Sequence, residues 1–539
     1  MSMVAPQEAE HVTSGSGGSD GPGGTGGTGR RPRVAILVDN DVRRDSRVQK
    51  QARSMAEHGW EVRVLGLAPL GAEEQWHIGG AEVHLIKVET RRRPHEARSP
   101  RWRHPLAFPS PIREQQSRLS SQRRAADLTL AVGRARVRAA GRGRRLHRLQ
   151  PWHLLPLRVL VKLAERLHAT RRDATQEVRR KRRSQVDLVD RVATSFHVRF
   201  GGARAWRRLD SHLYDFDAHY GPAIDAFEPD VIHANDFRML GSGARAKMRA
   251  LMAGRHIALV WDAHEYLPGI KPWSPHPRWH VAQMAHENEF AGDADAVVTV
   301  SAELGEMLAE RHHLSEQPAV VLNCPPDPAG SQTTPLPGPG IRELCGLAAD
   351  TPLMVYSGSP SRQRGLGTVV EAMAQLPDVH CAFVVALPDS PPVVEVVERA
   401  RELGLDDRLH LLPYVAPEHV VAYLSSADLG LIPIEHFPNH EIALITKFFE
   451  YSHARLPIVV SDVRAMSGQV RATGQGEVFT AGDVDDLARA VRAVVADPAR
   501  YRAAYDGAVP LHEWTWESQA EILDAVYREA LAKVRAAHA

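Results

Sequence analysis

Lys447 and Glu450 stand three residues apart within GLIPIEHFPNHEIALITKFFEYSHARLPIVVSD, residues 430–462. That spacing places an ammonium and a carboxylate on one side of a helix. An apolar strand over 429–434 precedes the helix and a second strand over 457–460 follows it. At the carboxyl edge of a parallel sheet, the start of such a helix offers free N–H groups to an anion. Ammonium plus amide dipoles suit a diphosphate, and a nearby carboxylate suits ribose hydroxyls, so the stretch reads as a nucleotide-sugar pocket. The bland alternative is a surface Lys–Glu pair contributing a few tenths of a kcal/mol. A second cation, Arg364, follows Gly358 in the loop after the strand PLMVYSGS, and Gly365 would let the backbone pass close to a ligand. An arginine fork on a β-phosphate would stabilise charge building on a departing diphosphate. Arg362 competes for that role, and a solvated loop arginine is the plain reading. His264 ends the strand of VWDAHEYLP, while His233, Asn235 and Asp236 end the neighbouring DVIHAND and are read as the acceptor side. The first strand–helix loop offers Asp41, Arg43, Arg44, Asp45 and Arg47 to acceptor or phosphate; pairing among themselves is the alternative.

These residues need elements to hold them. From Arg33 the chain alternates strand and helix: RVAILV, then VQKQARSMAEHG with Gly59 as its stop, then WEVRVLGLA and AEVHLIKVE. Such a βαβ unit implies a parallel sheet through its right-handed crossover. Residues 90–215 break the pattern with arginine-dominated, helix-periodic segments such as WHLLPLRVLVKLAERLH. This stretch reads as a basic helical insertion. Its arginines form a solvated face, or a surface for anionic lipid or another polyanion. Alternation resumes at Asp230 with DVIHAND, HIALVW, DAVVTVS and AVVLNCPP. A Pro/Gly-rich linker over 327–340 then separates a second α/β series. The expected divisions are a Gly/Ser-rich tail over 1–31, a first Rossmann-like domain over 32–89 and 216–326 interrupted by the insertion, a second over 341–510, and a final helix over 511–539 crossing back. Two Rossmann-like halves around a central cleft are the GT-B architecture, with the cleft as the active site.

The ordered motifs resemble glycosyltransferase family 4. DSRVQKQARSMAEHGWEVRVLG is similar to the family's opening, DVIHAND with VWDAHEYLPG to its paired strand ends, and ADAVVTVSAELGEML with VVLNCPP to the segments that close its first domain. YSGSPSRQRGL, TKFFEYSHARLPIVVSD and HEWTWESQAEILDAVY resemble its second-domain signatures. The likeness covers roughly residues 32–88 and 228–535, leaving out tail and insertion. It implies a retaining transferase moving a sugar from a nucleoside-diphosphate sugar to a glycan, lipid-linked or small-molecule hydroxyl. By resemblance Lys447 contacts the donor diphosphate, Glu450 the ribose hydroxyls, and His264 lies near the transferred sugar, with no metal or other cofactor required. The family often places another glutamate eight positions before Glu450. Here that position is Ile442, with Glu441 beside it, and Asn439 or His440 stand as substitutes.

Competing readings are a nucleotide-sugar epimerase of the same fold and a non-catalytic protein binding membrane or polyanion on a degenerate transferase fold. Asp293-Ala-Asp295 has a metal-binding form but leads into an apolar strand, so it reads as structural. His276, His280 and His286 lack zinc-site spacing and read as surface or loop residues. Three cysteines, Cys324, Cys345 and Cys381, without a CxxC pair, argue against a disulfide framework and fit a reducing compartment. No apolar run long enough to span a bilayer is seen. The N-terminus is acidic and then glycine-rich, unlike a secretion signal. The expected location is cytoplasmic, or peripheral at the inner membrane face through the basic insertion, with no nucleic-acid partner.

Overall fold

The computed structural model describes residues 30–68, 72–88, 104–140, 154–183, 188–270, 277–328, 336 and 338–537. The Gly-rich tail up to residue 29, most of the linker, parts of the insertion and His276 lie outside the described residues.

The first lobe is built on eight strands: β1 (Arg33–Leu37), β2 (Glu61–Leu67), β3 (Gln75–Ile78), β4 (Ala81–Ile86), β5 (Val231–Asn235), β6 (Ala258–Ala263), β7 (Ala296–Thr299) and β8 (Ala319–Val320). Their order is β3-β4-β2-β1-β5-β6-β7-β8. Every pairing is parallel except β3 with β4. Strand β3 is absent from the sequence reading. Its signal is the Gly79-Gly80 turn, where Gly79 takes φ +58° and closes the antiparallel hairpin. The central strands β1, β5 and β6 are near-continuous apolar runs because helices cover both faces.

The second lobe has six parallel strands: β9 (Leu353–Ser357), β10 (His380–Val384), β11 (Leu409–Leu412), β12 (Leu429–Ile432), β13 (Ile458–Ser461) and β14 (Gly476–Phe479). They are ordered β11-β10-β9-β12-β13-β14. In both sheets the order reverses beside the first strand, between β1 and β5 and between β9 and β12. Such switch points open a crevice at the carboxyl ends of the strands.

The helix Trp516–Ala536 packs on the first lobe although it follows the second in sequence. Trp516, Leu523 and Tyr527 are buried in one cluster with Val34, Ile36 and Val64. The Trp60 indole donates to Asp524 at 2.6 Å, and Trp516 donates to Ser54 Oγ at 2.9 Å.

Between β4 and β5 the described residues are mostly helical: α1 (Ser46–Glu57) precedes this region, and α2 (Pro111–Ala140), α3 (Leu155–Arg183) and α4 (Leu188–Gly201) lie within it. Trp206 and Leu213, inside the expected insertion, are buried in the first lobe's core. The lobe therefore resumes before residue 215.

Candidate active site

The second-lobe site forms where the β9 and β12 ends meet. A cavity of about 200 Å³ is lined by Gly358, Arg364, Tyr414, Ile434, Thr446 and Lys447, among others. Lys447 sits in the first turn of the helix Thr446–His453, whose N-cap Ile445 supplies no side-chain cap. The helix therefore presents its amino end to the cavity without a competing side-chain acceptor. Lys447 Nζ lies 2.7 Å from Glu450 Oε2, the one-face pairing expected from the spacing. Glu450 is buried. Tyr451 holds this helix in place: its hydroxyl accepts from Ser357 N–H at 2.8 Å at the end of β9. A Cβ on Gly430 would stand 2.5 Å from the Tyr451 ring, so glycine makes room for the anchor.

Arg364 and Arg362 part company. Arg364 lines the cavity, whereas Arg362 is exposed and pairs with Glu395 at 2.5 Å. Gly365 takes φ +68°, and a Cβ there would sit 1.8 Å from the Pro433 carbonyl oxygen. Its role is thus to let the arginine turn pack on the end of β12, which corrects the expectation that it clears space for a ligand. The sequence reading missed Tyr414. Burial raises its phenol pKa to about 12, helped by the Glu450 carboxylate, and Lys447 Nζ lies 5.6 Å from its ring centre. The available signal was an aromatic just beyond β11, on the carboxyl edge of the sheet.

Across the crevice, His264 follows β6. Its Nε2 is 3.0 Å from Asp262 Oδ1, close enough for an ion pair though not aligned as a hydrogen bond, and its Nδ1 is 3.6 Å from Asp236. Burial opposes the charged imidazolium, but the Asp262 and Asp236 carboxylates outweigh it and lift the pKa to about 10. His264 is therefore a hydrogen-bond donor at neutral pH, not an acceptor.

Several acceptor-side expectations are corrected. Arg47 is buried, its guanidinium bidentate to Asp262 at 3.0 Å on both oxygens and donating to the Val321 carbonyl at 2.9 Å. Asp262 also accepts from Gln51 at 2.6 Å and lies 3.2 Å from His233 Nε2. His233 in turn meets the Tyr527 hydroxyl at 2.8 Å. Arg47 and His233 thus belong to an internal hub under His264. Burial works against the Asp262 charge, yet Arg47 and His264 hold its carboxyl well below the usual range. Asn235 is buried too, its amide donating to the Leu37 carbonyl at 3.1 Å. Asp236, at φ +58°, sets a carboxylate oxygen 3.6 Å from His264 Nδ1. Of the first loop, Asp45 caps α1 through Val48 N–H and Arg43 pairs with Glu74.

Of the remaining candidates, Asn439 joins the two lobes, while Glu441 and His440 stay within the second. The Asn439 amide clamps the Tyr266 backbone, accepting from its N–H at 2.8 Å and donating to its carbonyl at 3.3 Å. That commits the side chain to the first lobe and removes it from the sugar-contacting set. Ile442 is buried in the first-lobe core. Glu441 pairs with His436 at 2.6 Å and accepts from Arg464 N–H at 2.9 Å. The His440 Nδ1 meets the Glu435 carbonyl at 2.6 Å. At the crevice floor, Lys50 Nζ donates to Asn323 Oδ1 at 3.0 Å, and Asn323 donates to Thr446 Oγ1 at 2.9 Å. Burial and the neighbouring Arg47 lower the Lys50 pKa to about 7.

Asp295 accepts from Lys247 at 2.7 Å and from Leu259 N–H, a structural role. His286, expected at the surface, is a core residue: it is buried against Gly241 and Phe237, and burial drops its pKa to about 3.

Residues 341–508 match the family Glycosyl transferases group 1, and residues 158–329 match Glycosyltransferase Family 4. The chain has the GT-B fold and resembles glycosyltransferase family 4. The second match begins inside α3, so the family's likeness reaches into the helical region. The chain is 26% identical over 278 residues to D-inositol 3-phosphate glycosyltransferase of Geodermatophilus obscurus, covering 49% of this chain and 58% of that one. It is 24% identical over 321 residues to alpha-maltose-1-phosphate synthase of Mycolicibacterium smegmatis, covering 56% and 79%. The chain thus spans little more than half the length of the first of these relatives. In fold it is similar to sucrose-phosphate synthase from Thermosynechococcus elongatus, with a TM-score of 0.58 at 15% identity, over 93% of this chain and all of that one. A glycosyltransferase from Rickettsia africae gives 0.53 at 10% identity, over 93% and 99%.

Proposed function

We propose that this chain transfers a sugar from a nucleoside-diphosphate donor to an acceptor hydroxyl with retention of anomeric configuration. The observation that carries the reading is one cavity lined by both Arg364 and Lys447 at an uncapped helix amino end, with Glu450 2.7 Å from Lys447. Two cationic side chains and a helix amino end make an anion site. The donor diphosphate occupies that site, and Glu450 receives the ribose hydroxyls. As the bond between sugar and β-phosphate breaks, Arg364 and Lys447 neutralise the charge gathering on the leaving diphosphate. The acceptor attacks from the face the diphosphate leaves, and a donor phosphate oxygen takes the acceptor proton. His264, protonated at neutral pH, donates a hydrogen bond to the sugar from the first lobe. The cationic side chains and the helix dipole meet the diphosphate charge, and the proposed reaction requires no metal. With the lobes closed, bulk water is kept from the donor, limiting its hydrolysis.

The test begins with thermal-shift screening of nucleoside diphosphates and nucleotide sugars, followed by transfer assays with the stabilising donor. Lys447→Ala and Arg364→Ala are each expected to lower kcat/KM by about 10²–10³-fold. Transfer at the wild-type rate in both variants would overturn the assignment. Isomerised free donor without transfer to any acceptor would instead identify an epimerase.

A further inference from the structure

The proposed reaction leaves helices α3 and α4 unexplained. Helix α3 buries Val161, Ala174 and Val178 and packs on α2, with Ser117 Oγ and His168 Nδ1 3.0 Å apart. A different set faces solvent: Leu160, Leu163 and Leu167 are 63%, 56% and 57% exposed. At 3.6 residues per turn these three fall on one stripe. On α4, Phe196 and Phe200 are one turn apart, 56% and 75% exposed, with ring centres 4.7 Å from each other. Scattered exposed apolar residues need no explanation, but a leucine stripe with a phenylalanine pair nearby in the chain does.

Charge selects the partner. Over residues 155–183, α3 holds ten Lys/Arg against three Asp/Glu, and Lys162 and Arg166 stand exposed among the leucines. Long cationic side chains lie along apolar surface while their heads reach polar groups. Nucleic acid or another polyanion would satisfy the cations and leave the leucines and phenylalanines in water. A neutral protein groove would do the reverse. An anionic lipid surface takes both: acyl chains accept the apolar stripe and phosphate headgroups accept the cations. No helix among the described residues is long and apolar enough to cross a membrane, so α3 would lie in the interface. We infer that α3 and α4 form an interfacial docking surface that seats this chain on an anionic membrane.

The test uses the full chain and vesicles of phosphatidylcholine alone or mixed with phosphatidylglycerol, read by co-sedimentation. Binding is expected to the mixed vesicles only and to weaken as salt rises. The triple substitution Leu160→Ser, Leu163→Ser, Leu167→Ser leaves the charge unchanged and is expected to lower partitioning by about tenfold or more. Phe196→Ser with Phe200→Ser tests the α4 pair separately and should lower it as well. Lys162→Gln with Arg166→Gln should weaken binding and flatten its salt dependence. Far-UV circular dichroism of each variant should match wild type, since the substituted side chains are exposed. Equal binding to both vesicle kinds, or to neither, overturns the inference. So does a dimer that the leucine variant dissociates without any vesicle binding, or DNA binding that survives the leucine variant while vesicles are ignored. Because the readout is lipid binding and not sugar transfer, this inference and the proposed reaction fail separately.

Discussion

Two charged residues in this molecule carry opposite consequences for pH. His264 gains two carboxylates on folding and so holds its proton to about pH 10, against an ordinary value of 6.5. Its contribution to stability is full below pH 6.5 and is lost as pH rises toward 10. Lys50 behaves the other way, because burial drives its pKa from 10.5 to about 7. Between those values the unfolded chain holds a proton that folded Lys50 has released, so this term raises stability with pH. Lys50→Met removes that dependence. Its melting temperature relative to wild type is expected to be higher at pH 7 than at pH 10, and a constant difference would refute the buried-amine assignment. Asp262 is the second residue-scale test. Asp262→Ala strands the Arg47 guanidinium in the core and should cost about 3–5 kcal/mol in urea unfolding. The same change removes the nearer carboxylate from His264, and its imidazole titration, followed by NMR, should fall below pH 10.

At the scale of elements, the proposed donor cavity depends on two short pieces of chain held at fixed distance from β9 and β12. Tyr451 ties the helix Thr446–His453 to β9 through Ser357 N–H. The turn Arg362–Arg364 is tied to the continuation of β12, where Glu435 N–H donates to the Gln363 carbonyl at 3.0 Å. Gly365 makes that seat feasible, because only glycine combines φ +68° with close contact to the Pro433 carbonyl. Gly365→Ala is expected to destabilise by about 1 kcal/mol or more and to move Arg364 away from the cavity. The donor KM should rise while the helical content by circular dichroism stays at the wild-type level. An unchanged KM would show that the turn does not position the arginine.

For the whole molecule, the contacts between lobes are the telling feature. Ile442 is inserted into the first-lobe core, Asn439 clamps the Tyr266 backbone, and Pro438 stands so close to Gly269 that a Cβ there would meet it at 2.5 Å. The turn from Pro438 to Ile442 is thus a strap from the second lobe to the first. An apolar residue where the resemblance leads one to expect glutamate contributes lobe contact in place of polar contact with a sugar. The double change Asn439→Ala, Ile442→Ser is expected to raise the radius of gyration in small-angle scattering. It should spare nucleotide binding by the second lobe and lower kcat, because the two halves of the site meet less often. Scattering identical to wild type would remove the strap.

Local physics made the repeating units readable in the chain. Apolar runs bounded by Gly and Pro mark strands such as β1, β6 and β9, and helical spacing alone put Lys447 beside Glu450. The order of those units limited the topology to two parallel sheets, since a right-handed crossover leaves few alternatives. Sequence periodicity says nothing about which loop residue turns inward. Arg47 pairs with Asp262 across 215 positions, and Tyr266 meets Asn439 across 173. Such contacts depend on how complete elements pack, and residue type alone does not encode that. Tertiary structure therefore sent Arg47 and His233 to an internal hub, sent Arg362 outward and left Arg364 in the cavity. It brought Tyr414 to a site that spacing could not connect it with. The carboxylates that make His264 a lasting cation and the burial that makes Lys50 a weak base come together only in the folded chain.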